Sequence, residues 1–137
     1  MHRNLYVWGL IFILFSILLG AFGAHALKSL ITTDRLVTFE TGVRYQFMHG
    51  VGLIMLAQYA NNHSTVASIR KGIAWASNFF ILGVFCFSGS LYLLALQAIL
   101  KFEWVFILGP ITPFGGLLFL LGWFSWIRVV YLNKVDK

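Results

Sequence analysis

Four stretches of this chain, residues 5–24, 45–60, 72–100 and 104–127, contain no Asp, Glu, Lys or Arg and are mostly apolar. A bilayer core is about 30 Å thick, and about 20 apolar residues in a helix cross it. Three of the runs reach that length unaided. The second is shorter, carries Gln46 and His49 in its first turns, and stays uncharged on to Ile69. Lipid offers a backbone no hydrogen-bond partner, so helices, whose bonds close within the segment, are the expected form. Strands of a barrel would show short alternating segments instead. The expected fold class is all-α: a polytopic four-transmembrane-helix bundle, one integral membrane domain over residues 1–137, with helices at about 5–26, 43–60, 72–98 and 104–128.

Composition agrees with this. Hydrophobic types make up 60% of the chain and charged types 10%, where a soluble domain carries about 25% charged residues. So few charges cannot coat a water-facing surface, which excludes an ordinary soluble domain and a disordered chain. The net charge of +6 raises the question of nucleic acid. The ten cations are scattered, however, and sit at the ends of apolar runs, where they meet headgroups and set topology. No nucleic acid partner is expected. The lone cysteine, Cys86, rules out an intrachain disulfide and a cysteine-built metal site. Ala24-His25-Ala26 after the first run resembles a signal-peptidase site, but that run exceeds the 7–15 residues of a typical signal core. An uncleaved first helix is expected. With four spans, Arg3, Arg70, Lys71, Arg128, Lys134 and Lys137 share one side and Lys28, Arg35, Arg44 and Lys101 the other. Six against four places both termini in the cytoplasm.

Between the first two runs, Leu36, Phe39, Val43 and Phe47 recur at helical spacing. A short amphipathic helix over about 33–42, lying in the outer interface, is expected there. Asp34 near its start suits the positive end of the helix dipole.

Polar groups in a membrane are expensive, so each needs a reason. Glu40 and Arg44 are four apart and can pair on one helix face. Tyr45 and His49 share a neighbouring face, with Gln46 between them. Interfacial anchoring with a local salt bridge is one reading. A site facing the bundle that holds a lipid headgroup or small ligand is the other. His25 is expected at the same level as His49. Two histidines on adjacent helices suit haem or a metal, but no third ligand stands at a fixed offset, and neither a metal site nor a cofactor is expected. Gly20, Gly23 and Ala24 on the first helix and Gly50 and Gly52 on the second are expected to let helices approach closely. Ser88-Gly89-Ser90 puts two hydroxyls into the third run, and Gly89 is expected to serve helix packing there. Pro110 and Pro113 are expected to break or kink the fourth helix, with Thr112 beside the freed carbonyls. Broken helices line transporter sites. All these positions fall in the outer half of the bundle, a one-sided distribution that argues against a through-pore.

The stretches Gly20-Ala21-Phe22-Gly23-Ala24-His25-Ala26-Leu27, Thr41-Gly42-Val43-Arg44-Tyr45-Gln46 leading to His49, Phe87-Ser88-Gly89-Ser90-Leu91-Tyr92 and Ile111-Thr112-Pro113-Phe114-Gly115-Gly116 resemble a family of small bacterial inner-membrane proteins. That family is known as domain of unknown function 423 and is related to transmembrane protein 256. The resemblance covers nearly the whole chain and implies a four-helix membrane protein of the bacterial cytoplasmic membrane with no established enzyme activity. The expectation is a non-enzymatic protein whose partners are membrane lipids, with a homo-oligomer or a membrane-protein partner also compatible. A small transporter using the fourth helix and a haem- or metal-binding redox protein are the alternatives.

Overall fold

The computed structural model of the protein describes residues 2–63, 67–101 and 105–135. They form helices joined by short connections. Helix α1 spans His2–His25 and is followed by a 3₁₀ turn, Leu27–Ser29. Helix α2 spans Thr33–His63. Helix α3, Ala67–Gly83, runs through a π turn at Val84–Ser88 into α4, Gly89–Leu100. Helix α5 spans Val105–Val135. Three stretches, Arg3–Ser29, Ala67–Leu100 and Phe106–Leu132, are long and apolar enough to cross a membrane. Helix α2 is long but too polar to meet that measure alone.

The helices alternate in direction. α1 lies against α2 in a steady antiparallel register. Gly9 faces Ile54, Gly20 faces Val43 and Gly23 faces Phe39, so facing residue numbers sum to 62 or 63. α3, α4 and α5 form the second antiparallel pair, with Gly72 on Val129, Gly83 on Phe119, Phe87 on Gly115 and Ser90 on Thr112. Three apolar clusters stack along the bundle. Leu5, Ala60, Ile69, Ile73 and Val129 close the end that holds the start of α1 and the finish of α5. Phe12, Leu53, Phe80, Val84 and Phe119 fill the middle. Leu27, Phe39 and Ala95 close the far end.

α2 is the central helix. Its buried residues Phe39, Gly42, Gln46, His49, Leu53, Leu56 and Ala60 alternate by three and four, the seam of a helix packed against neighbours at a shallow angle. The stretch expected as a separate interfacial helix over about 33–42 is instead the opening of this single helix. The expected stripe also rotates away from the core along it. Phe39 is buried, Leu36 and Val43 are half-buried, and Phe47 is 43% exposed. Two successive steps of four, from Phe39 to Val43 to Phe47, drift off a seam that alternates three and four.

The π turn resets the phase of the α3–α4 rod. Before it the buried positions Ile69, Ile73, Ala76, Phe80 and Gly83 follow the three-four pattern; the turn itself buries Val84 and Ser88. One extra residue in the turn brings Ser88 and Tyr92 round to α2. The rod ends at Lys101, whose φ of 50° is left-handed and caps the last turn through its N–H to the Gln97 carbonyl.

Candidate functional site

The polar residues singled out above do not form one pocket: Gln46 and His49 lie beside the middle cluster, against Phe12 and Phe119, while Ser90 and Thr112 lie nearer the end that holds the start of α2. They divide into four arrangements on different faces of α2 and α4.

The first lies where α1, α2 and α4 meet. Gln46 is buried on the α2 seam, so its amide must find partners inside the bundle. Its Nε2 donates to the Phe12 carbonyl at 3.0 Å, and its Oε1 accepts from the Tyr92 hydroxyl at 3.0 Å. The same Phe12 carbonyl accepts from the Ser16 hydroxyl at 2.8 Å. A glutamine thus ties three helices through both ends of its amide.

The second surrounds His49. His49 is 2% exposed, and its ring stacks on Phe119 with centroids 3.5 Å apart and planes 8° from parallel. The Trp123 indole N–H donates to Nε2 at 3.2 Å, and Nδ1 lies 2.8 Å from the Tyr45 carbonyl. An indole only donates and a carbonyl only accepts. His49 is therefore the neutral tautomer with its proton on Nδ1, and both ring nitrogens are engaged. His25 is exposed at the end of α1. The α1–α2 register sets it opposite residue 37 or 38, about 17 Å along the axis from His49 at 1.5 Å per residue. The expectation of a shared level fails, and with it the motive for a haem or metal bridge between the two. Among the described residues no three potential ligands gather.

The third joins α4 to α5. Ser90 Oγ lies 2.7 Å from Thr112 Oγ1, Ser90 also reaches the Phe87 carbonyl at 2.9 Å, and Thr112 reaches the Leu108 carbonyl at 3.2 Å. Two hydroxyl protons serve three contacts. Ser88 has the opposite character: its hydroxyl is fully buried and has no hydrogen-bond partner. Pro110 and Pro113 do not divide α5, which is continuous across both. Both prolines lie inside the helix, so each lacks the N–H that would bond the carbonyl four residues earlier, at Phe106 and Gly109. The motive for a transporter built on a broken fourth helix goes with this correction.

The fourth is a groove of about 360 Å³ between α1 and α2, open to the side. Ser16, Gly20 and Gly23 line it from α1; Phe39, Val43 and Phe47 line it from α2, with Glu40 and Arg44 beside them. Both charged residues are exposed, and no ion pair joins them or any other described residues. The glycines explain the space. α1 and α2 touch most closely at Gly9 and Gly50, where an added Cβ would stand 2.8–3.0 Å from the opposite carbonyl. From there they diverge. A Cβ on Gly20 would meet only Val43, at 3.6 Å, and Ala24 is exposed. Gly20 and Ala24 are therefore not close-packing residues, while Gly23, 3.2 Å from Phe39, and Gly50 are. Gly89 faces open space, another departure from the expected packing.

Sequence reasoning missed the Trp123 bond to His49 and the Gln46–Tyr92 bond. The three-four spacing of Gln46 and His49 with Phe39, Gly42, Leu53 and Leu56 was the signal that both face inward. It also missed Arg35, whose guanidinium donates to the Leu94 carbonyl at 3.2 Å and to Gln97 Oε1 at 3.3 Å. A cation at the C-terminal end of α4 suits the negative end of its dipole.

Long apolar helices whose polar side chains turn inward to satisfy one another define a helical membrane protein. More particularly, the chain belongs to the family described as protein of unknown function (DUF423), which matches residues 19–116. Among similar proteins is the UPF0382 membrane protein SH2409 of Staphylococcus haemolyticus, 43% identical over 104 residues, covering 76% of this chain and 75% of that protein. The UPF0382 membrane protein YwdK of Bacillus subtilis is 38% identical over 124 residues, 90% of each chain. The UPF0382 inner membrane protein YgdD of Escherichia coli is 37% identical over 105 residues, 77% of this chain and 72% of that one. No solved structure matches.

Proposed function

We propose that the protein is a non-enzymatic, four-span protein of the bacterial cytoplasmic membrane, with both termini cytoplasmic, that holds a zwitterionic phospholipid in the α1–α2 groove. The steady register of α2 on the apolar α1 supports α2 as the remaining span, its polar groups shielded by the other helices. The observation that carries the functional reading is the pair Glu40 and Arg44: opposite charges one turn apart on a groove that opens towards lipid, not bonded to each other. A cation and a carboxylate on a lipid-facing surface need partners. A phosphate bearing a primary amine offers both, the phosphate to the Arg44 guanidinium and the ammonium, through N–H donors that a quaternary choline lacks, to Glu40. The divergence of α1 and α2 at Gly20 leaves apolar room for the adjoining acyl chain.

Native mass spectrometry of protein extracted from liposomes of equal phosphatidylethanolamine and phosphatidylcholine tests this. Retention of phosphatidylethanolamine over phosphatidylcholine is expected, with the preference lost in Glu40→Gln and retention of both lipids lowered in Arg44→Gln. Unchanged retention in both variants overturns the assignment.

A further inference from the structure

At the opposite end of the molecule, α3 and α5 are pinned together where Gly72 meets Val129; a Cβ on Gly72 would stand 2.2 Å from the valine side chain. Beside this contact lies a pocket of about 430 Å³. Its lining includes Lys71 and Ser68 from the first turns of α3 and Arg128 and Ser125 from the later turns of α5, with Trp75 on its inner side. Facing residues on these helices sum to 201 or 202, so Lys71 and Arg128 stand within one turn of the same level. Two cations are thus presented from separate helices to one cavity, with two hydroxyls around them. No acidic side chain lines the pocket, and no ion pair engages either cation among the described residues. The described acids, Asp34 and Glu40, belong to the far end of the bundle. Like charges brought together without a counter-charge repel; an anion between them turns that cost into attraction. Trp75 is 59% exposed, as befits a ring at headgroup level.

We infer that the Lys71/Arg128 pocket binds the phosphate of an anionic phospholipid headgroup. Basic pockets between membrane helices recognise lipid phosphates in this way. The guanidinium offers two parallel donors to a phosphate, the ammonium a point charge, and Ser68 and Ser125 further donors. The site shares no residue with the α1–α2 groove and involves only helices that are apolar enough to span alone.

The test is competition between lipids. Protein is reconstituted in liposomes of equal phosphatidylglycerol and phosphatidylcholine, extracted, and its retained lipid read by native mass spectrometry. Wild type is expected to retain phosphatidylglycerol preferentially. Lys71→Gln and Arg128→Gln are each expected to lower that preference about fivefold, with thermal melting by circular dichroism unchanged. Arg70→Gln removes a neighbouring cation that does not line the pocket and is expected to leave the preference intact. A second arm adds inorganic phosphate or a short-chain phosphatidylglycerol to delipidated protein in detergent, with only the lipid expected to raise the melting temperature. No preference in wild type, or an equal loss in Arg70→Gln, overturns the site. An equal shift with inorganic phosphate overturns the lipid as its ligand.

Discussion

Gln46 and Ser88 show how differently a buried polar atom is treated within one membrane bundle. Both amide ends of Gln46 are satisfied, by Tyr92 and the Phe12 carbonyl. Hydrogen bonds between membrane helices average about 0.6 kcal/mol and reach about 1.7. Tyr92→Phe and Gln46→Leu are each expected to destabilise towards the upper figure, because each strands a buried group on its neighbour. The double variant is expected to lose less than the sum of the two, a coupling that reversible unfolding in mixed micelles measures. Ser88 is the converse case. Its hydroxyl has no partner to lose, and an unsatisfied buried polar group costs roughly 1–3 kcal/mol. Ser88→Ala is expected to raise stability by about 1 kcal/mol in the same assay, whereas Ser90→Ala, which breaks the link to Thr112, is expected to lower it. The residue types here were legible in the sequence; their fates were not, because partnership depends on helix phase, and the π turn shifts that phase by one residue.

Among the elements, glycines divide by what stands opposite them. A Cβ on Gly115 would lie 2.4 Å from the backbone nitrogen of Phe87, on the π turn itself. A backbone atom cannot rotate aside, so Gly115→Ala is expected to cost about 1–3 kcal/mol through overpacking, well beyond its gain in helix propensity. Gly109 faces open space; Gly109→Ala is expected to stabilise by up to about 1 kcal/mol. Thermal melts of the purified variants distinguish these outcomes. Sequence spacing placed the close approach at Gly20, Gly23, Ala24, Gly50 and Gly52, of which Gly23 and Gly50 are tightly packed, and passed over Gly9, Gly72, Gly83, Gly115 and Gly122. A small-residue pattern records that an approach is permitted; which glycine is used depends on where two helix axes cross. The apolar runs, by contrast, were plain from the sequence, because hydrophobic length is a property of one segment. The continuity of α2 was hidden: its polar first turns read as a separate interfacial helix until packing showed one uninterrupted seam.

For the whole molecule, the most polar of the long helices occupies the middle. α1, α3–α4 and α5 meet the apolarity a bilayer demands, and α2, with its Gln46, His49, Glu40 and Arg44, does not. On the proposed four-span topology this arrangement governs biogenesis. A nascent segment of such polarity has little tendency to leave the translocon for lipid unaided, so α2 is expected to integrate only as a hairpin with α1, whose Gly9 and Phe12 carbonyl are its immediate partners. In a glycosylation-mapping insertion assay, α2 carried by a neutral leader is expected to be translocated rather than integrated, and restoring α1 ahead of it is expected to recover membrane insertion. The unbroken contact between Gly9 and Gly50 then means that the protein's first tertiary interaction forms while the ribosome is still making the rest of the chain.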